Sequence, residues 1–313
     1  MYIPYFRGKQ FDLIGLRESV SLGLFGSNTI PLIEPVRDAK QLLKTLETFV
    51  EKQREVLVVV NPEVGQVQKG MPRLHDWTTF YESPYVIPVY ILNQMLDING
   101  MFDLDEIQDE DYVFLSHKYV ASTLEEIVKA NTPRYHIISD SARLRKVVTE
   151  NRVLLTDPFT SESSFSAHRD DCQDYEDEFF CDNHLFFQDD GYIGFSNYGI
   201  DGEFYYDKGF PARILVLHIL YRDKYNSIRI KHFTSDSNDS HHNPKLKFQE
   251  AMGKCVRWQE HFCKEIPLTT GLQTLISYYR TGDYPGPGTI KKLLVMHQLE
   301  LLGEHFVLKK EGC

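Results

Sequence analysis

The stretch that decides the fold is "RYHIISDSARLRKVVTENRVLLTD", residues 134–157. It opens with the apolar run "HIISD" and closes with the apolar run "RVLLTD", each ending in an aspartate. Between them, Leu144, Val147 and Val148 recur at the spacing of one helical face. A strand, a helix and a second strand in this order predict parallel pairing, because parallel neighbours need a crossover connection.

The same alternation extends along most of the chain. Further strands are predicted in "FDLIGL" (11–16), "TIPLIEP" (29–35), "EVLVVVNP" (55–62), "YVIPVYIL" (85–92), "YVFLSHK" (112–118) and "GYIGFSNYGI" (191–200). Helical patterns lie between several of them, with Asp38 as a predicted N-cap and Ser122 and Glu125 at the spacing of a capping box. About eight such units predict an α/β fold, a (β/α)8 TIM-barrel-like domain. An open doubly wound sheet stays as the alternative, although no glycine-rich phosphate fingerprint follows an early strand.

Two features interrupt the regular pattern. An acidic insertion occupies residues 157–190, and residues 212–236 read as a β-hairpin that turns at Asp223–Asn226. The hairpin is expected to pack with the insertion. Helices are predicted over 245–313, and we expect one barrel-like domain over residues 1–313.

Charge and composition narrow the classes of function. Residues 157–207 hold fourteen Asp or Glu and one Arg, whereas the whole chain has a net charge of −11. DNA binding needs a basic footprint, so direct DNA binding is disfavoured, and a cation or a basic protein partner suits this segment better. The apolar runs are too short for a membrane span, and the first residues do not resemble a secretion signal. The five cysteines form no CxxC pair, which indicates reduced thiols and a cytoplasmic location.

Candidate site residues follow from the barrel prediction, because the carboxyl ends of barrel strands line the usual active-site mouth. The polar residues at those ends are Glu34, Asn61, His117, Lys118, Asp140, Asp157, Ser196 and Tyr198. Of these, Glu34, Asp140, Asp157 and His117 are the candidate catalytic residues. The competing interpretation is that strand ends are polar simply because the chain meets water there.

The segment "SAHRDDCQDYEDEFFCDNH" (166–184) is open to several interpretations. Its "HRD" matches a kinase catalytic loop only in part, because Tyr175 stands where that loop places Asn, so the kinase interpretation is rejected. Ligands for a divalent cation are present in His168, Asp170, Asp171, Asp182 and His184. Neither an HxH nor an HExxH motif accompanies them, so we favour acids that are solvated or paired with the hairpin's Arg and Lys, and the cofactor stays unknown. Arg169 is expected to hold two carboxylates, in a structural role more than in substrate contact.

Several motifs in order resemble the beta-protein family, which is named after a protein of T-even bacteriophages and has members in bacteria and phages. They are "MYIPYFRGKQFDLIGLRE", "IPLIEPV", "HIISD", "DPFTSESSFSAHRDDCQDYEDEFFCDNH", "GYIGFSNYGI" and "HILYRDKYNSIRIKHFTSD". The resemblance runs from the first residues to about residue 250. It implies a role in phage–host conflict and no defined activity. After the arginine that matches Arg169, that family commonly has Asn–Ala–Asp, whereas this chain has Asp170, Asp171 and Cys172.

The positions that the resemblance matches are Arg7, Lys9, Glu34, Asp140, Asp157, Arg169, Glu178, Phe195, Ser196, Tyr198 and His232. Two classes of function stay open. One is a hydrolase of a phosphorylated or nucleotide-like substrate, in which Arg7, Lys9 and Arg169 hold an anion, with Asn61, Lys118, Ser196, Tyr198 and His232 as further substrate contacts. The other is a non-enzymatic defence or toxin–antitoxin protein whose acidic surface binds a basic protein partner encoded nearby.

Overall fold

A computed structural model describes residues 1–37, 39–67, 77–92, 111–117, 121–159, 177–203, 205, 213–261 and 268–308. These residues divide into two compact units. The first comprises 1–9, 29–156 and 186–197, and the second comprises 10–28, 157–185 and 198–313. One domain was expected over the whole chain, and that expectation stays a prediction.

The first unit contains a closed barrel of eight parallel strands in the order β1-β2-β3-β4-β5-β6-β7-β9. Its strands are β1 (Tyr2–Phe6), β2 (Leu32–Ile33), β3 (Val56–Val59), β4 (Val86–Ile91), β5 (Val113–Ser116), β6 (Tyr135–Ser139), β7 (Arg152–Thr156) and β9 (Gly194–Asn197). Pairing of β1 with both β2 and β9 closes the ring. The predicted TIM-barrel-like fold is confirmed, and the open sheet is excluded for this unit.

The helices of the first unit follow its strands as the sequence predicts. They are α2 (Lys40–Glu51), α3 (Ala121–Ala130) and α4 (Ala142–Val147). On α2, Leu42, Leu46 and Phe49 are buried on one face. Ala39, without a side-chain cap, holds the N-cap position of α2, and the predicted cap Asp38 lies outside the described residues.

One predicted strand is wrong. Residues 11–16 belong to the helix α1 (Gln10–Leu22), and the first barrel strand is Tyr2–Phe6. The run "FDLIGL" is apolar enough for a strand, but Leu13, Leu16 and Val20 are buried at helical spacing. Gly15 on that helix allows close approach of α8 (Pro287–Leu308), because a Cβ there would lie 3.0 Å from Val295.

The second unit contains a three-stranded antiparallel sheet in the order β10-β11-β8. The predicted hairpin is confirmed as β10 (Val216–Arg222) and β11 (Ile228–Thr234), with Asn226 at a positive φ of 63° in the turn. The third strand, β8 (Glu178–Cys181), comes from the acidic insertion and pairs with β11, so the expected association of insertion and hairpin is confirmed. The short helix α5 (Asn183–Phe186) follows β8, and the helices α6 (Pro244–His261), α7 (Thr270–Thr281) and α8 lie toward the C-terminus as predicted.

Among the described residues, none of the helices combines the length and the apolar character that a bilayer crossing requires.

Candidate functional site

The interior face of the barrel can be identified from one contact between opposite strands. Tyr5 on β1 stacks on His117, which follows β5, with ring centroids 6.2 Å apart. Strands β1 and β5 lie four positions apart in a ring of eight, so this contact crosses the interior. Side chains on a strand alternate between faces, and therefore Ile3, Tyr5 and Arg7 share the interior face.

Glu34 lies just beyond β2 and is completely buried. Its Oε2 accepts hydrogen bonds from the Tyr5 hydroxyl, at 2.8 Å, and from Nη1 of Arg7. Its Oε1 accepts from the backbone N–H groups of Glu63, at 2.7 Å, and Val64, at 3.3 Å. Four donors occupy the hydrogen-bonding positions of this carboxylate and leave none for a substrate.

The catalytic role predicted for Glu34 stays a prediction, and these hydrogen bonds argue for a structural role. The carboxylate fixes the guanidinium of Arg7, which is itself buried, and anchors the loop that follows β3. A buried ion pair is stabilised when further hydrogen bonds satisfy its charges, and on the carboxylate the Tyr5 hydroxyl and two backbone N–H groups supply them.

Among the described residues at this end of the barrel, His117 is a titratable side chain that is partly exposed and lies near a carboxylate. Its side chain is 12% exposed, and its Nε2 lies 3.9 Å from Oε2 of Glu63. Tyr5 stacks on the imidazole ring and fixes its orientation. A carboxylate beside a partly exposed imidazole is the arrangement that orients a histidine for general acid–base catalysis.

Asn61 was predicted to contact substrate, but its amide links two strands. Its Nδ2 donates to the carbonyl of Ile91 at 2.9 Å, and its Oδ1 accepts from the N–H of Ile91 at 2.9 Å. The side chain thus continues the β3–β4 pairing beyond the end of β3. One N–H and the carbonyl oxygen of the amide are therefore used to hold β4, which argues against a substrate contact.

Ser196 lies on β9 in register with Ile3 on one side and Leu155 on the other. Because aligned residues of neighbouring parallel strands point to the same face, Ser196 faces the barrel interior. It is fully buried, and its Oγ makes no hydrogen bond within the part of the chain that the structure describes. Its neighbour Phe195 points the other way, where it stacks on Tyr2.

The three acids that were expected to converge have separate partners. Asp140 has a side chain that is 64% exposed and pairs with Arg145 of α4. Asp157 belongs to the second unit, where its carboxylate accepts from the backbone N–H groups of Phe159, at 3.2 Å, and Glu203, at 2.9 Å. Both carboxylates are used in local contacts of their own units, and the catalytic roles predicted for Asp140 and Asp157 stay predictions.

The remaining predicted site residues lie in the first unit, in the second unit or outside the described residues. Lys9 is half-buried two residues after Arg7, in the first unit. Tyr198 is buried and His232 is 5% exposed, and both belong to the second unit. Lys118 and Arg169 lie outside the described residues, as do His168, Asp170 and Asp171 of the hypothetical metal site.

Residues 157–159 and 177–185 of the acidic insertion belong to the second unit, whereas residues 186–190 belong to the first. Nε2 of His184 lies 2.7 Å from the carbonyl oxygen of Asn226 in the hairpin turn. Asp177 accepts from the Tyr221 hydroxyl at 2.6 Å and pairs with Arg229. The hydrogen bonds from Tyr221 and Arg229 outweigh the effect of burial and hold the pKa of Asp177 below its usual range. Pairing with the hairpin, the interpretation that the sequence favoured for these acids, holds for Asp177.

Nucleophilic cysteine chemistry is disfavoured at the two cysteines that the structure describes. Cys181 and Cys255 are reduced and buried, and burial raises the pKa of each thiol to about 12. Thiols with such pKa values stay protonated at neutral pH and are poor nucleophiles.

Three side chains of interest were missed from the sequence. Tyr5 was missed because the first strand was placed too late in the chain. Glu63 was missed because it directly follows the "NP" that ends the apolar run, although such loops commonly carry site residues. His218 was missed because the predicted turn at Asp223–Asn226 would place it opposite Lys231, whereas in the structure Arg222 pairs with Ile228 and His218 therefore pairs with His232.

No protein-family model and no curated protein matches the chain.

Proposed function

We propose that the first unit is a hydrolase of a small phosphorylated or nucleotide-like substrate, with His117 as its general acid or base. The observation that carries the proposal is the contact of His117 with Tyr5 across the barrel interior, beside the Arg7–Glu34 pair. The imidazole of His117 and the guanidinium of Arg7 both lie at the carboxyl end of a parallel barrel. Barrel enzymes locate their chemistry at this end.

In this proposal Glu63 and Tyr5 prepare His117 for proton transfer. The carboxylate of Glu63 stabilises the protonated imidazole, and the ring of Tyr5 restricts its rotation. The backbone N–H of Glu63 is held by Glu34, so Glu34 positions the residue that orients His117. Glu34 is a positioning residue here and not the acid or base.

The substrate class follows from the positive charges in this part of the barrel. Arg7 is fixed by Glu34 and by the Tyr5 hydroxyl, which lies 3.4 Å from Nη1. Glu34 neutralises part of that charge, and Lys9 adds a second cation two residues along the chain. A guanidinium held in one orientation suits a phosphate or another planar or tetrahedral anion.

The activity test compares His117→Asn with the wild-type chain on p-nitrophenyl phosphate and on a panel of nucleoside mono-, di- and triphosphates. Removal of a general acid or base typically lowers the rate by 10²–10⁴-fold, and we expect a loss in that range. His241→Asn, at an exposed histidine of the second unit, is the matched control and should retain full activity. Equal rates for wild-type and His117→Asn would contradict the role of His117.

The resemblance to the beta-protein family supports placing this activity in phage–host conflict. Bacteria that express the wild-type chain should resist at least one phage of a challenge panel, and His117→Asn should abolish the resistance. If His117→Asn protected as well as the wild type, and no substrate of the panel were hydrolysed, the non-enzymatic interaction protein would replace this proposal.

A further inference from the structure

Two histidines face each other in the sheet of the second unit. His218 on β10 and His232 on β11 are direct cross-strand partners, and their Nδ1 atoms lie 2.6 Å apart. His232 is buried and His218 is half-buried. Phe159 contacts the His218 ring edge-on, with centroids 5.3 Å apart, which restricts the orientation of that ring.

This contact limits the protons that the two rings can carry. A neutral imidazole has one N–H and one lone pair, so one Nδ1 must donate and the other must accept. Two Nδ1–H groups at this distance would repel each other. The pair therefore shares a single proton along the line between the Nδ1 atoms. When that proton moves to Nε2 of the ring that carries it, both rings stay neutral and both Nδ1 lone pairs become free to bind one ion.

We propose that His218 and His232 bind a divalent transition-metal ion of the Zn²⁺, Cu²⁺ or Ni²⁺ type through their two Nδ1 atoms. The ion takes the place of the shared proton, which moves through solvent to Nε2 of the ring that donated it, so both neutral rings then carry their proton on Nε2. Imidazole nitrogen is a preferred ligand of these ions. Metal–nitrogen bonds of 2.0–2.1 Å in tetrahedral geometry separate two ligand atoms by about 3.3 Å, so the rings must open by several tenths of an ångström.

Glu178 supplies the carboxylate that commonly supports a metal-bound histidine. Its Oε2 lies 3.8 Å from Nε2 of His232, on the side of the ring away from His218. A carboxylate in this position favours the tautomer with a proton on Nε2, which leaves the lone pair on Nδ1 for the ion. A histidine ligand binds the ion as the neutral imidazole, so binding is expected to weaken as the pH falls.

The proposed metal site has two protein ligands and leaves the other coordination positions to water. Within the described residues, no set of three His, Cys, Asp or Glu side chains is arranged around one point. The half-buried position of His218 leaves room for water molecules to complete the coordination. We therefore expect weaker binding than at a closed four-ligand zinc site. The proposal does not depend on the function proposed for the barrel, since all of its residues belong to the second unit.

The test is titration of the full, chelator-stripped chain with Cu²⁺ and with Zn²⁺ at pH 7.5, followed by calorimetry and, for Cu²⁺, by electron paramagnetic resonance. We expect one tight equivalent and a spectrum with two nitrogen ligands. His218→Gln should weaken binding at least tenfold and remove one nitrogen. The control variant replaces both exposed histidines of the loop after β11, His241→Gln and His242→Gln, and should keep the tight equivalent.

Glu178→Gln gives a second readout that leaves both imidazoles in place. Loss of a supporting carboxylate typically costs 10–100-fold in metal affinity, and we expect a loss of that size. The proposal is overturned if the wild-type spectrum shows fewer than two nitrogens, or if His218→Gln binds as tightly as the wild type. In either case the two rings share a proton and do not bind a metal.

Discussion

At the scale of single residues, two buried polar side chains of this protein are each held by several partners. Glu34 has four donors, and His297 has a partner on each ring nitrogen. His297 Nε2 lies 2.8 Å from the Leu220 carbonyl, and its Nδ1 lies 2.6 Å from Oγ1 of Thr269. Such groups stabilise the fold only while every partner remains, which makes them sensitive to mutation and to pH.

Replacement of Glu34 by Gln should destabilise the barrel strongly. The change removes the negative charge that compensates the buried guanidinium of Arg7 and directs N–H groups at existing donors. Breaking a buried ion pair on one side costs about 3–5 kcal/mol, and we expect a loss of this order in the free energy of unfolding. Urea titration of Glu34→Gln, Arg7→Met and the double variant measures the coupling. An unchanged urea midpoint in Glu34→Gln would show that the pair has no structural role.

His297 should make stability depend on pH. Complete burial lowers its pKa from 6.5 to about 4, so the folded chain keeps the ring neutral where the unfolded chain protonates it. Stability from this group is therefore present above pH 6.5 and is lost as the pH falls toward 4. The shift corresponds to about 3 kcal/mol at 1.36 kcal/mol per unit of pKa.

The measurement for His297 is guanidinium unfolding of wild-type and His297→Gln at pH 7 and pH 4.5. The variant should lose less stability than the wild type over this interval. His261→Gln, at an exposed histidine, is the control and should follow the wild type. His136, whose pKa burial lowers to about 3, contributes in the same direction in both proteins, so only the difference between them reports on His297.

At the scale of elements, close approach of helices depends on glycine. Gly271 is the second residue of α7 and lies where that helix contacts α8. A Cβ on it would lie 2.2 Å from the Leu293 carbonyl oxygen. Gly253 in α6 has more room, because its nearest neighbour would be the Tyr279 hydroxyl at 3.2 Å. Backbone atoms of a packed helix cannot yield, whereas a side-chain hydroxyl can shift.

The two glycines form a matched pair for mutation. Gly271→Ala should lower the free energy of unfolding by about 1–3 kcal/mol through overpacking against α8. Gly253→Ala should be neutral or should stabilise by about 0.5–1 kcal/mol, since alanine is the better helix former. Thermal and urea unfolding of both variants provide the comparison. Similar losses at the two positions would rule out steric contact with α8 as the cause.

At the scale of the whole molecule, each of the two units has its own sheet, and the sheets differ in kind. The barrel has no open edge, because β1 is hydrogen-bonded to β2 on one side and to β9 on the other. The sheet of the second unit is a short antiparallel ladder in which β11 is the central strand. Closure removes the unpaired backbone groups that make strand edges vulnerable to opening and association.

Barrel closure predicts uniform protection from hydrogen exchange. Amides of β1 and β9 should exchange as slowly as those of β5 and β6, because all of these strands have neighbours on both sides. In an open sheet, two strands would lie at the edges and exchange much faster. Peptide-resolved exchange at neutral pH makes the comparison. Rapid exchange confined to β1 and β9 would show that the ring opens in solution.

Much of the fold could be predicted from the sequence, because a parallel strand is recognisable from local apolar runs and the turns that close them. Seven of the eight barrel strands, the hairpin and the C-terminal helices were predicted from such patterns. The first strand was not, since "YIPYF" is short and the following helix carries an equally apolar run. Local patterns cannot separate a short strand from one turn of a buried helix.

The sequence alone determined which side chains lie at strand ends, because that depends on chain order. Only the tertiary structure decided their partners: Glu34 with Arg7, Asp140 with Arg145, Asp157 with backbone amides, and His117 with Tyr5. The physical reason is that charge and hydrogen bonding act over a few ångströms, whereas these partners come from strands, helices and loops that only folding brings together. Chemistry at a strand end is therefore set by the neighbours that the closed barrel supplies.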